Sequence, residues 1–123
     1  MNENNMNKNK IILQYCPNFY KIINYDFERD SLTDKLINVY RRFIFTIDIE
    51  NMEEVKTANQ IDKILIKYIE DSQFRKELQN GLKNFKVTNS SSNILKAIVE
   101  GIISVFNKYE EGSTRKIYIA RWI

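Results

Sequence analysis

Histidine is absent from the 123-residue chain, and with it go the commonest general base near neutral pH, the usual transition-metal ligand and every Ser-His or Cys-His pairing. The one cysteine, Cys16, admits no internal disulfide and agrees with a reducing compartment; its plainest role is that of a small buried hydrophobe. Three glycines, Gly81, Gly101 and Gly112, stand far apart, so there is no glycine-rich loop to cradle a phosphate. No apolar run approaches the ~20 residues that cross a bilayer, and the opening MNENNMNKNK lacks the apolar core of a secretory signal. The expectation is a cytoplasmic protein outside the membrane, not an enzyme, with no metal and no cofactor.

What is present is ordinary for a folded domain: 43% hydrophobic and 28% charged residues with a net charge of +3. That charge is too mild to demand nucleic acid. Its distribution is uneven, because residues 26–60 hold eight acidic against five basic groups while the segments on either side are net basic. Solvated helix faces produce such patterns unaided.

Helical spacing dominates the chain. Residues 1–9 read as a flexible Asn-rich tail and 10–123 as a single helical domain. Ile12, Leu13, Cys16, Phe19, Tyr20 and Ile23 fall at three- and four-residue steps, and Pro17 predicts a kinked or two-part helix there. Asp30 or Ser31 can cap a helix carrying Leu32, Leu36, Val39, Tyr40 and Phe43. FIFTIDI (43–49) fits either period, and its β-branched and aromatic content favours a strand. A long helix is expected from Ala58 or Asn59 through Ile61, Ile64, Leu65 and Tyr68, with a break near Asp71-Ser72 before Phe74, Leu78 and Leu82.

TNSSSN (88–93) is the clearest loop, and the segment after it, 92–109, is apolar nearly all round, as a central core helix would be. RKIYIARWI (115–123) alternates like a strand that could pair with 43–49 in a small ribbon. The fold class expected is mainly α, a helical bundle around the apolar C-terminal helix with that two-stranded ribbon beside it.

Three sets of residues could carry binding. Lys63, Lys67, Arg75 and Lys76 lie along the long helical stretch with Tyr68 and Phe74, as phosphate contacts with stacking rings would. Arg115, Lys116 and Arg121 are interleaved with Tyr118 and Trp122, a pattern suited to nucleic acid or to packing. Ala97, Gly101 and Ser104 make a ridge of small residues that serves either close helix packing or a partner-binding and self-association face, including a homodimer. The carboxylates Asp26, Glu28, Asp30, Asp48, Glu50, Glu53 and Glu54 read as solvated surface, without the spacing of a calcium loop.

IILQYCPNFYKII, then DSLTDKLINVYRRF and IDKILIKYIEDSQFRKEL, make residues 11–72 resemble the core-binding helical region of small divergent sigma factors of clostridia. The resemblance implies a helical hairpin whose exposed acidic side meets RNA polymerase, with Lys67, Tyr68, Phe74 and Arg75 toward promoter DNA. It covers half the chain, and no second helix-turn-helix follows Thr88. Two readings of function stand together: a non-enzymatic regulator touching nucleic acid or the transcription machinery, and a protein-binding inhibitor or immunity protein of a phage, plasmid or virus.

Overall fold

Among the described residues the three- and four-residue steps are realised as six helices: α1 (Asn2–Tyr15), α2 (Phe19–Ile23), α3 (Ser31–Thr46), α4 (Met52–Glu70), α5 (Ser72–Gly81) and α6 (95–108). The computed structural model describes residues 2–27, 29–83 and 95–108, with side chains from residue 8 onward. No strand occurs among these residues. The chain is mainly α, and one buried cluster joins Ile12 of α1 to Ile103 of α6.

Pro17 divides the first helical stretch as its missing amide requires, with α1 ending at Tyr15 and α2 starting at Phe19. The expected tail at 1–9 is instead drawn into α1 from Asn2 onward, because neither proline nor glycine precedes Pro17 to end the helix. Lys8 Nζ donates to Phe45 O at 3.0 Å and ties α1 to the last turn of α3. That turn holds no basic residue of its own, so a lysine from a neighbouring helix answers its negative end.

Asp30 caps α3, its Oδ1 accepting from the Thr33 N–H at 2.8 Å. The buried face of α3 runs through Thr33, Leu36, Ile37, Val39, Tyr40, Phe43 and Ile44. The strand expected over 43–49 does not form. Phe43 and Ile44 extend the row already set by Leu36 and Tyr40, and this core contact overrides the strand preference of the local residues, so α3 continues to Thr46.

Asp48 and Asn51 then turn the chain, accepting from the backbone amides of Glu50 and Glu53. The start of α4 is therefore Met52 and not Ala58 or Asn59; Glu53 and Glu54, read as solvated surface, occupy its first turn, where the helix dipole favours acids. α4 packs against α1, α2, α3 and α5. Its amphipathic stripe explains that central place, with Val55, Ala58, Ile61, Ile64, Leu65 and Tyr68 all buried.

Asp71 ends α4 and begins α5 in a single residue. Its N–H donates to Lys67 O at 2.9 Å, while its Oδ1 accepts from Gln73 N at 3.0 Å and Phe74 N at 3.1 Å. Phe74 and Leu78 of α5 and Leu82 after it enter the core. α6 buries Leu95, Ile98, Val99, Ile102 and Ile103 but leaves Lys96, Ala97, Glu100 and Ser104 exposed, so it is amphipathic and not wrapped on all sides. Loop 88–93 and the terminal segment 115–123 lie outside the described residues.

The close approach between α5 and α6 occurs at Gly81. A Cβ there would stand 2.8 Å from Val105 Cγ1. Alanine elsewhere in a helix gains about 1 kcal/mol over glycine. Here the β-branched Val105 has little rotamer freedom to yield, so Gly81→Ala is expected to destabilise by roughly 1–3 kcal/mol. Urea midpoints check this, and Val105→Ala should recover most of the loss; a Gly81→Ala protein more stable than wild type would contradict the contact.

Candidate functional site

The basic helical set divides when placed in the fold. Lys63, Lys67 and Lys76 are exposed and Arg75 is half-buried, whereas Tyr68 and Phe74 are core residues. The two rings expected to stack on bases are therefore corrected to packing residues. They fall on the buried stripes of α4 and α5, and the edge of Phe74 meets the Phe106 ring at 5.7 Å. Lys67 Nζ lies 4.7 Å from the centre of the Phe74 ring, a cation–π contact at the rim of the core.

Arg75 and Lys76 line an open hollow of about 500 Å³ with Arg29, Asp30, Ser72 and Gln79. Arg75 Nε donates to Tyr68 O at 3.1 Å, and Arg29 pairs with Asp34 at 3.0 Å. Desolvation pushes the Asp30 carboxyl up, but hydrogen bonds from Thr33 and Gln79 and the charge of Arg75 outweigh it and hold the pKa below the ordinary carboxylate value. Arg115, Lys116, Tyr118, Arg121 and Trp122 lie outside the described residues. In the small-residue ridge, Ala97 and Ser104 are exposed and Gly101 half-buried, so close helix packing does not account for it.

A buried polar group that the sequence reading missed lies at the centre of α4. Asp62 is fully buried, accepting from Tyr40 Oη at 2.7 Å and from Asn18 Nδ2 at 3.0 Å. Its signal was there to read: Asp62 stands in the apolar row of Val55, Ala58 and Leu65, where a carboxylate needs partners. Beside it Cys16 is equally buried. Burial, then the Asp62 charge, pushes the thiol up to about 12 against the lowering effect of its hydrogen bond with Tyr40. Such a thiol stays protonated and inert at neutral pH.

Burial also raises the Tyr40 phenol well above its ordinary value, helped by Cys16 and by the bond to Asp62. A second network joins Tyr68 Oη to Thr33 Oγ1 at 2.7 Å and accepts from Gln79 Nε2 at 2.8 Å. These bonds tie α3 to α4 through Tyr40–Asp62 and Thr33–Tyr68, and α4 to α5 through Tyr68–Gln79.

A second concave feature among the described residues is a groove of about 710 Å³ between α1, α2 and α3. Leu13, Tyr20 and Phe45 stand in it 41%, 56% and 60% exposed, a large apolar area to leave in water. Phe19 forms its floor, placing its ring edge-on to Phe45 at 6.4 Å and tilted against Tyr40 at 5.7 Å. The groove is thus braced from below by the Tyr40–Asp62 bond. No family model, curated protein or solved structure matches the chain. The groove's chemistry is therefore judged from its own walls.

Those walls are apolar at Ile12, Leu13, Ile23 and Ile44 and basic at Lys8 and Arg41. Arg41 places its guanidinium 5.8 Å from the centre of the Phe45 ring. Among the described residues no three His, Cys, Asp or Glu side chains gather as a metal site, and no helix is long and apolar enough to cross a membrane. In the sequence Ile12, Leu13, Phe19, Tyr20 and Ile23 fell on a helical period, and Phe45 fell on the alternation of a strand. Which of them stay in water depends on how three helices meet.

Proposed function

We propose that the chain is a non-enzymatic regulatory protein that works by binding another protein, in the manner of an inhibitor. One observation carries this reading: the exposed trio Leu13, Tyr20 and Phe45 stands in a groove of about 710 Å³. Exposed aromatic and aliphatic groups around a concavity are the usual anchors of protein interfaces. The buried polar residues add support, since their side chains are spent on each other.

A second reading, contact with nucleic acid or the transcription machinery, draws on the hollow lined by Arg29, Arg75 and Lys76 and on exposed Lys63 and Lys67. It loses Tyr68 and Phe74 as stacking rings. One experiment separates the two. The tagged chain is used to capture partners from nuclease-treated host lysate, beside a Leu13→Glu/Phe45→Ala variant whose near-ultraviolet circular dichroism matches wild type. The first reading expects one stoichiometric protein that the variant loses. Retention of that protein by the variant, or a partner that disappears with nuclease, would favour the second.

A further inference from the structure

Among the described residues that line the groove, Lys8 and Arg41 carry charge and no aspartate or glutamate does. We infer that its occupant is an acidic amphipathic helix of a partner protein, an inference that rests on the protein-binding reading above and specifies the partner's chemistry.

Shape favours a helix. The groove is bounded by α1, α2 and α3, and the described residues present no strand edge for an extended peptide to join. A fourth helix lying there would bring apolar anchors at three- and four-residue steps onto Leu13, Tyr20 and Phe45, in the manner by which the chain's own helices already pack. Phe45 is prepared for this. Its ring is braced by Phe19 and flanked by Arg41, and its carbonyl is held by Lys8, so less freedom is lost when a partner arrives.

Charge favours acid. An ammonium has three donors, and Lys8 uses one on Phe45 O; a guanidinium stacked on a ring still offers its edge to a carboxylate. A second copy of the chain fits poorly, because a two-fold contact through this groove would gather the Lys8 and Arg41 of both copies in one interface with no acid among the described lining residues to offset them. Nucleic acid fits less well, since two cations make only a short phosphate track; the exposed rings of Tyr20 and Phe45 could each take a base, and displacement by a thymidine oligonucleotide addresses that occupant.

The test is a displayed library of helix-biased peptides of about 20 residues, long enough to hold helical structure. Leucine or phenylalanine is fixed at three positions one turn apart, and the flanking positions vary among Glu, Gln and Lys. The full chain is the target, and a Phe45→Ala chain, altered at an exposed position, is the counter-target. The expected result is glutamate enriched over lysine, with selected peptides losing at least about tenfold in affinity on Phe45→Ala and weakening on Arg41→Gln and with added salt.

Lysine-rich or charge-indifferent winners, winners that bind the Phe45→Ala chain equally, displacement by a thymidine oligonucleotide, or an empty selection would each overturn the inference. The two readings fail separately. A lysate partner that still needs Leu13 and Phe45, alongside a selection without glutamate preference, removes the acidic helix and leaves protein binding standing.

Discussion

Asp62→Leu is expected to destabilise the fold by roughly 2–5 kcal/mol, a large share of the 5–15 kcal/mol that holds a domain together. Leucine keeps the branched skeleton of aspartate but is bulkier, so overpacking adds to the main loss, which is of polarity: the Tyr40 hydroxyl and the Asn18 amide are left facing a hydrocarbon. Tyr40→Phe should cost about 1–3 kcal/mol, because the Asp62 carboxylate then keeps the Asn18 bond but loses its shorter one. The double variant should cost less than the two singles added, by about 1 kcal/mol or more, since removing both partners leaves one fewer orphan. Urea midpoints with unchanged slopes are the measurement. An Asp62→Leu protein within about 0.5 kcal/mol of wild type would mean the carboxylate is not committed to the core, and it would return as a functional candidate.

The second large effect concerns Tyr68, whose place in the fold separates packing from nucleic-acid contact. Tyr68→Ala empties a fully buried site on the helix that packs against α1, α2, α3 and α5, and a loss of about 3–5 kcal/mol is expected. Tyr68→Phe keeps the ring and removes only the hydroxyl shared by Thr33 and Gln79, so its expected cost is roughly 1–3 kcal/mol. A residue that served DNA from the surface would behave oppositely, leaving stability alone and weakening binding. Denaturation curves of both variants, set beside duplex binding by the wild type, decide the matter.

The helices were legible wherever apolar residues kept one spacing across several turns. Leu36, Val39, Tyr40 and Phe43 mark the buried face of α3, and Ile61, Ile64, Leu65 and Tyr68 that of α4, because a stripe of that width can only face a core. Residues 43–49 misled because phenylalanine and isoleucine favour strands locally, whereas the winning contribution, burial of Phe43 and Ile44 against the other helices, is not local. The first turn of α4 was hidden by its own acids, which look like loop composition until the positive helix end is considered.

The candidate site was less legible for a related reason. Leu13 and Ile12 are neighbours of the same chemistry, yet one is buried and the other faces water, and only the angle between helices decides between them. Asp62 could have been found, since an acid on an apolar face asks where its partners are. Asn18 and Tyr40, the answers, lie 44 and 22 positions away.

The single-residue joint at Asp71 bears on which length changes this protein tolerates. With one residue closing α4 and opening α5, no slack exists between them. One inserted amino acid would turn everything downstream by about 100° around the axis of α5. Phe74 and Leu78 would swing off the buried face while Gln73 and Glu77 rotated into their places. Related chains built on this plan should therefore vary in length elsewhere and keep this junction free of insertions and deletions.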